Sequence, residues 1–136
     1  MKKIFPIITI VVFAVFASGF TNRIHQDPWT VPDKYVKMPN PVKADARSIA
    51  AGKALYQVNC EACHGKKGLG NGSKAPDLKK APGNFTKGTF QSQTDGAIFY
   101  KLSEGKGEMP KAKKDLPNDI DRWNLVNYLR TFAPAN

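Results

Sequence analysis

Apolar residues recur at helical spacing in three stretches of the chain, and no stretch shows the apolar–polar alternation of a half-buried strand. In residues 45–60, small or apolar positions lie three or four apart: Ile49, Gly52, Tyr56 and Cys60. Residues 94–103 carry one apolar face: Ile98, Phe99 and Leu102. Residues 118–132, with Asn118 as the expected N-cap, repeat the pattern: Leu125, Val126, Leu129 and Phe132. The spacing predicts an all-α fold of three or more short helices.

The segments between these helices are rich in glycine and proline. Residues 65–93 show no sustained period, and a loop of that length in a compact domain is usually functional or disordered. Gly105 and Gly107 end the second helix, and Glu108-Met109-Pro110 is expected to form a turn. We therefore expect short helices joined by large loops.

Residues 20–44 contain four prolines and little hydrophobic periodicity: Pro28, Pro32, Pro39 and Pro41. Proline blocks both helix and ladder hydrogen bonding, so this segment is predicted to be an extended arm or linker. Trp29 and Tyr35 could pin the arm to the surface of the domain, and a solvated linker is the alternative. The folded domain itself is expected over residues 45–136.

The N-terminus has the features of an exported chain. Lys2 and Lys3 precede an apolar run over residues 4–16, and small residues follow. This order is typical of a secretory signal peptide over residues 1–19, with cleavage after Ala17 or Gly19. Residues 4–20 lie near the lower length limit of a membrane span, so an uncleaved anchor is the alternative. In both cases the remaining chain is expected in the periplasm.

Length and charge narrow the class of protein further. The chain has 136 residues, enough for one domain, and a formal net charge of +10. This charge predicts an acidic partner, and export disfavours nucleic acid in that role. Membrane contact is expected only if the N-terminal segment stays uncleaved. Because the helices offer few large apolar residues, the domain is expected to need a staple or a cofactor.

The run Cys60-Glu61-Ala62-Cys63-His64 is a Cys-x-x-Cys-His motif, the attachment signature of a c-type haem. Residues i and i+3 share a face of a helical turn, so both sulfurs can reach the two vinyl groups of one porphyrin. His64 then lies below the ring with a nitrogen aimed at the iron. The sequence predicts one haem c per chain, attached through Cys60 and Cys63.

Three other uses of this motif are weaker. A structural zinc site needs four nitrogen or sulfur ligands, and His25, alone in the arm, is the other candidate. A thioredoxin-like redox pair requires a βαβ context that the pattern lacks. A simple disulfide leaves the adjacent histidine unexplained.

The sixth iron ligand is expected to be Met109. This residue lies in a turn between glycines and a proline, where packing does not demand methionine. A thioether is a soft, neutral ligand that favours ferrous iron and so raises the reduction potential. The alternatives that stay open are Met38, His25 and an open coordination position.

From residue 46 to residue 132, about two-thirds of the chain resembles a class I cytochrome c, the small monohaem bacterial kind. The matching features are Gly52 and Tyr56, the Cys-x-x-Cys-His motif, and three later segments: Ala75-Pro76-Asp77-Leu78, Glu108-Met109-Pro110 and the helix with Trp123, Tyr128 and Leu129. The arm has no counterpart in short members of that family, and residues 79–93 are less diagnostic.

The resemblance implies a cytochrome c fold wrapped around one haem, with specific roles for named residues. Gly52 and Tyr56 of the first helix are expected to pack on Tyr128 of the last. Pro76 and Leu78 are expected beside the haem. The Pro76 carbonyl is the implied acceptor for the second N–H of His64, a bond that would fix the ring and strengthen the ligand.

Lysines flank both ligand segments and are implied to border the exposed haem edge in this fold. They are Lys66 and Lys67 after His64, and Lys106, Lys111, Lys113 and Lys114 around Met109. Such a ring of cations would steer an acidic redox partner into fast, salt-sensitive encounter. A solvated basic face without a partner is the alternative.

These features predict a one-electron carrier that shuttles between a quinol-oxidising complex and a terminal oxidase or other reductase in the periplasm. No acid–base pair or nucleophile stands out, so substrate turnover is not expected. Two alternatives stay open. One is a cytochrome subunit fixed to a membrane respiratory complex, and the other is a haem enzyme or sensor with an open iron position.

Overall fold

The computed structural model describes residues 29–135, so the predicted signal peptide lies outside the described residues. The helices are α1 (Asp33–Val36), α2 (Ala46–Asn59), α3 (Glu61–His64), α4 (Gly88–Gln91), α5 (Asp95–Glu104), α6 (Ala112–Asp115) and α7 (Asp119–Arg130). A 3₁₀ turn spans Ala75–Asp77. In the described range, β structure is limited to one isolated bridge between Lys106 and Met109. The all-α prediction is confirmed, and α2, α5 and α7 are the three predicted helices.

Side-chain caps explain where the three long helices begin. Asp45 caps α2 by accepting a hydrogen bond from the Ser48 N–H at 2.9 Å, and Ser48 Oγ accepts from the Asp45 N–H at 3.3 Å. The Thr94 hydroxyl caps α5. Asn118 caps α7 by accepting from the Ile120 N–H at 3.0 Å, as predicted. None of the helices within residues 29–135 has the length and apolar character needed to cross a membrane.

The core forms where α2 crosses α7 at very short range. A Cβ on Gly52 would overlap the Asn124 carbonyl oxygen and lie 2.8 Å from the Tyr128 Cβ, so only glycine allows this approach. One turn later, the buried Tyr56 ring packs against Tyr128 with centroids 5.2 Å apart, and against Phe132 at 5.4 Å. The expected packing of Gly52 and Tyr56 on Tyr128 is therefore observed.

Helix α5 closes the other side of the core. Its Phe99 ring stacks on Trp123 of α7 with centroids 4.0 Å apart and an interplanar angle of 12°. At its C-terminal end, Gly105 adopts a φ of +62°, which favours glycine and turns the chain away from the helix. The segment that carries Met109 therefore begins directly at the end of a packed helix.

The described part of the arm, residues 29–44, is docked on the helices. Helix α1 lies against α5, where the Tyr35 and Tyr100 rings have centroids 4.8 Å apart. A Cβ on Gly96 would overlap the Tyr35 carbonyl oxygen, so the arm backbone rests directly on α5. Lys101 also lies over the Trp29 ring, 5.7 Å from its centroid. Over residues 29–44 the arm therefore contacts the domain through Trp29 and Tyr35, and the alternative of a solvated linker does not describe these residues.

A buried asparagine joins the arm to α7. The Asn127 amide donates to the Val42 carbonyl at 3.1 Å and to Ser48 Oγ at 3.0 Å, and its oxygen accepts from Asn40 Nδ2 at 2.8 Å. Asn127 is only 3% exposed, so water cannot replace these partners without opening the fold. The arm is thereby hydrogen-bonded to α7, and the same asparagine joins α7 to Ser48 of α2.

We expect the substitution Gly52→Ala to lower the free energy of unfolding by about 2–3 kcal/mol, because its Cβ would push α2 and α7 apart. Gly88→Ala is the matched control, since nothing lies within 4 Å of a Cβ at that position. The control should change stability by less than about 0.5 kcal/mol. Urea unfolding followed by far-UV circular dichroism measures both variants, and equal losses would contradict the close crossing.

We expect Asn127→Ala to lower stability by about 2–3 kcal/mol, because it leaves several buried polar groups without partners. It should also speed tryptic cleavage at Lys37 and Lys43 in the arm. Asn59→Ala is the control, because the exposed Asn59 amide donates only to Leu55 of its own helix. Unchanged arm cleavage in Asn127→Ala would show that this residue does not hold the arm.

Candidate functional site

The Cys-x-x-Cys-His motif forms one tight helical turn at the end of α2. Cys60 is the N-cap of α3, and its carbonyl accepts from the Cys63 N–H at 3.2 Å and the His64 N–H at 2.9 Å. Both cysteines are free and partly buried. The structure therefore brings both thiols and the imidazole together on one turn.

The turn is anchored to α2 from behind. The Tyr56 hydroxyl donates to the Gly65 carbonyl at 2.6 Å, within the buried core. Gly65 has a φ of +80°, and a Cβ there would overlap the Asn71 side chain. Because Tyr56 also packs on α7, the helix crossing and the motif turn share one side chain.

The His64 ring is oriented by a backbone carbonyl. Its Nδ1 lies 3.0 Å from the Gly83 oxygen. A carbonyl can only accept, so Nδ1 carries the hydrogen, and the neutral ring keeps a lone pair on Nε2. Burial lowers the pKa of His64, while the bond to Gly83 acts in the opposite direction. A neutral imidazole with a free Nε2 is the form that binds iron.

The acceptor is Gly83, and the expectation that Pro76 would fill this role is wrong. The Phe85 N–H donates to the Gly68 carbonyl at 2.7 Å, which brings the segment before Phe85 alongside the turn that follows His64. Pro76 lies instead in the 3₁₀ turn, whose neighbour Lys74 donates its N–H to the Ala62 carbonyl at 2.8 Å. The 3₁₀ turn is thus attached to the backbone of the motif rather than to the histidine ring.

Phe85 is a contact of His64 that the sequence analysis did not identify. Its ring is stacked on the imidazole, with centroids 4.4 Å apart and an interplanar angle of 20°. The same ring is buried against Tyr56 and Phe90. The aromatic residues Phe85 and Phe90 in a loop rich in glycine and lysine were the available signal, but spacing alone does not show which residue each one contacts.

Burial also acts on the thiols. The pKa of Cys60 is raised to about 12, chiefly by burial and further by the neighbouring Cys63. The Cys60 thiol is therefore protonated at neutral pH. Among residues 29–135, no group of three or more His, Cys, Asp or Glu side chains is arranged to hold a metal ion.

Met109 lies in a short loop that is closed by two hydrogen bonds. The Lys106 N–H donates to the Met109 carbonyl and the Met109 N–H to the Lys106 carbonyl, both at 3.1 Å. The Met109 side chain is partly buried against the core. The predicted turn is therefore present, and it places a methionine side chain against the interior of the fold.

Met38 and Leu78, two further candidates, lie in different surroundings. Met38 is partly buried, and its carbonyl would be 2.7 Å from a Cβ on Gly96, so it belongs to the contact between the arm and α5. Leu78 is partly buried directly after the 3₁₀ turn. The next residue, Lys79, is joined to Glu108 by a hydrogen bond of 2.9 Å. His25 lies outside the described residues.

The lysines predicted to meet a partner are all exposed, in two groups. Lys66 and Lys67 follow the motif turn. Lys111, Lys113 and Lys114 line one surface depression. Lys113 also forms an ion pair with Glu104 at 2.6 Å, and this contact lowers the pKa of Glu104.

The residues present fit a covalently bound haem. Two reduced thiols lie at i and i+3 on a turn, and the adjacent imidazole has its Nδ1 hydrogen-bonded and its Nε2 free. Cys60, Cys63 and His64 would hold the group. The donor set is that of a c-type haem, because thiols serve as attachment points and a neutral imidazole as the iron ligand.

Comparison with known proteins supports this conclusion. Residues 47–129 match the family model described as "Cytochrome C oxidase, cbb3-type, subunit III". Cytochrome c6 of Tetradesmus obliquus is 38% identical over 74 residues, which cover 52% of this chain and 76% of that protein. A cytochrome c-553-like protein of Synechocystis is 28% identical over 126 residues, covering 93% of this chain and 97% of the relative.

A solved structure shares the fold. A chain of the Kuenenia stuttgartiensis reducing HAO-like protein complex aligns with a TM-score of 0.64 and 28% identity over 73% of this chain. The chain spans about half, 49%, of that longer neighbour. Together, the family match and the motif turn show that the chain belongs to the c-type cytochromes, as a small monohaem member of a family whose haem transfers electrons.

Proposed function

We propose that the protein is an exported one-electron carrier whose haem is bound through Cys60 and Cys63 and ligated by His64 and Met109. The observation that carries the proposal is the hydrogen bond from His64 Nδ1 to the Gly83 oxygen, on the same turn as the two thiols. It leaves Nε2 for the iron and fixes the ring plane. When bound, the haem supplies a one-electron couple between ferrous and ferric iron.

Attachment would use each cysteine in the same way. The S–H bond adds across a vinyl group, so that a C–S bond forms and the hydrogen goes to the other vinyl carbon. No electron is gained or lost overall. Both cysteines are partly buried, so the two thioethers would lie at the edge of the core rather than in solvent.

Met109 is proposed as the sixth ligand because its loop combines a closed backbone with an inward-facing thioether. Met38 is the weaker candidate, since its contacts with Gly96 and α1 already account for its position. A methionine ligand would raise the reduction potential of the haem iron, which suits a soluble respiratory carrier.

The proposed route runs from a quinol-oxidising complex to a terminal oxidase or other reductase in the periplasm. The signal-peptide pattern of residues 1–19 supports export. The net charge of +10 and the exposed lysines near both ligand loops support docking on an acidic protein face.

A second candidate is a cytochrome subunit held in a membrane respiratory complex. The description of the matching family as an oxidase subunit, and the solved neighbour that lies within a protein complex, favour it. The arm docked on α5 would then be the route to an anchor in residues 4–20. A mature N-terminus near residue 18 or 20, and a freely soluble monomer, would favour the shuttle instead.

Absorption spectra of the protein matured with haem-attachment machinery test the central proposal. We expect a low-spin spectrum with the sulfur-to-iron band in the oxidised form and no binding of CO to the reduced form. A CO-binding, high-spin haem would favour the enzyme or sensor alternative. Absence of covalently bound haem would overturn the proposal.

We expect Met109→Leu to remove the sulfur-to-iron band, open the iron to CO and lower the reduction potential. The shift should be on the order of 0.1–0.2 V, a fraction of the roughly 0.8 V range that axial ligands span. Met38→Leu is the matched control and should leave spectrum and potential unchanged. Spectroelectrochemical titration measures all three proteins, and a loss of the band in Met38→Leu instead would reverse the assignment.

We expect the triple variant with Lys111, Lys113 and Lys114 changed to Glu to be oxidised about tenfold more slowly by an acidic redox partner at low salt. The difference should shrink as ionic strength rises, because salt screens the attraction. The control changes three exposed lysines elsewhere on the protein to Glu: Lys43, Lys53 and Lys87. Equal rates for both triple variants would show that the protein's net charge matters and this patch does not.

A further inference from the structure

The Met109 loop is tied to a distant part of the chain by the side chain of its neighbour. Glu108 Oε2 accepts from the Lys79 N–H at 2.9 Å and from the Lys80 N–H at 3.4 Å. One carboxylate oxygen therefore bridges two consecutive backbone amides. Charge-assisted bonds of this kind are stronger than bonds between neutral groups.

The other end of this connection reaches the motif turn. Residues 78–80 follow the 3₁₀ turn, and Lys74, at the start of that turn, donates its N–H to the Ala62 carbonyl. Ala62 lies between the two cysteines. A short backbone segment from Lys74 to Lys79 thus connects the motif turn to the Glu108 carboxylate beside Met109.

The Met109 loop also has contacts of its own, because the Met109 side chain packs against the core. The two hydrogen bonds between Lys106 and Met109 close it internally but do not join it to the 78–80 segment. Gly105 gives it a turn at one end, and Pro110, which lacks an N–H, follows Met109. The Glu108 carboxylate joins the loop to residues 79 and 80 through two hydrogen bonds.

We propose that Glu108 is a positioning residue that keeps Met109, the proposed iron ligand, in place by clamping its loop to the 78–80 backbone. This inference rests on the proposed ligation by Met109 and adds a residue that holds the ligand loop without touching the iron. Opening of the loop must break both hydrogen bonds between Glu108 and the backbone amides. Removing these hydrogen bonds therefore raises the population of molecules with an open loop.

The test measures how readily an external ligand displaces Met109. Imidazole is mixed with ferric holoprotein in a stopped-flow instrument, and loss of the sulfur-to-iron band reports displacement. Glu108→Ala should bind imidazole about fivefold faster than the wild type, the effect of losing about one net hydrogen bond. Glu108→Gln, which keeps an uncharged acceptor, should fall between the two.

Glu104→Gln is the matched control. Glu104 is a nearby carboxylate that forms a 2.6 Å ion pair with Lys113, but it contacts neither Lys79 nor Lys80. Its removal should change the imidazole rate by less than about twofold. Equal rates in Glu108→Ala and wild type, or equal increases in Glu104→Gln and Glu108→Ala, would overturn the clamp.

Amide hydrogen exchange of the same holoproteins separates this inference from the ligation proposal. In Glu108→Ala the Lys79 and Lys80 amides should exchange faster, while the amide of Val126, a buried residue of α7, keeps its protection. If the wild type lacks the sulfur-to-iron band, ligation by Met109 fails whatever the exchange shows. If the band is present and exchange at Lys79 and Lys80 is unchanged, the clamp fails alone.

Discussion

The close crossing of α2 and α7 at Gly52 is the constraint on which the rest of the structure depends. A side chain there would overlap the Asn124 backbone, so the helices approach only because glycine lacks a Cβ. One turn further along α2, Tyr56 packs on α7 and donates its hydroxyl to Gly65. Tyr56 contacts both α7 and the motif turn, so its packing sets the position at which the motif turn leaves α2.

The histidine is then oriented from the opposite side. The loop after the motif returns across the turn, where Gly83 accepts from His64 and Phe85 stacks on its ring. Burial lowers the pKa of the imidazole, and the carbonyl selects which nitrogen carries the hydrogen. The proposed iron ligand is thus positioned by backbone path and packing, through two uncharged contacts, Gly83 and Phe85. This arrangement suits a redox site whose charge changes with every electron.

The loop that carries Met109, the proposed sixth ligand, shows how an exposed turn can be held without a large core. The domain has a small set of buried residues, and the turn with Met109 meets the core at its edge. Hydrogen bonds within the turn give it shape, and the Glu108 carboxylate connects it to residues beyond it. Meanwhile the arm covers α5 through Tyr35 and is held by the buried Asn127.

The amino-acid sequence alone determined the local features. Helical spacing predicted α2, α5 and α7, Asn118 was predicted as the N-cap of α7, and the Cys-x-x-Cys-His run predicted a turn that brings both thiols together. These follow from short-range rules, since caps and turns involve residues a few positions apart. Tertiary structure decided the rest: Gly83 replaced Pro76 as the acceptor, and Asn127 held the arm. Such contacts join residues far apart in the chain, and no local pattern records which distant backbone a folded loop will meet.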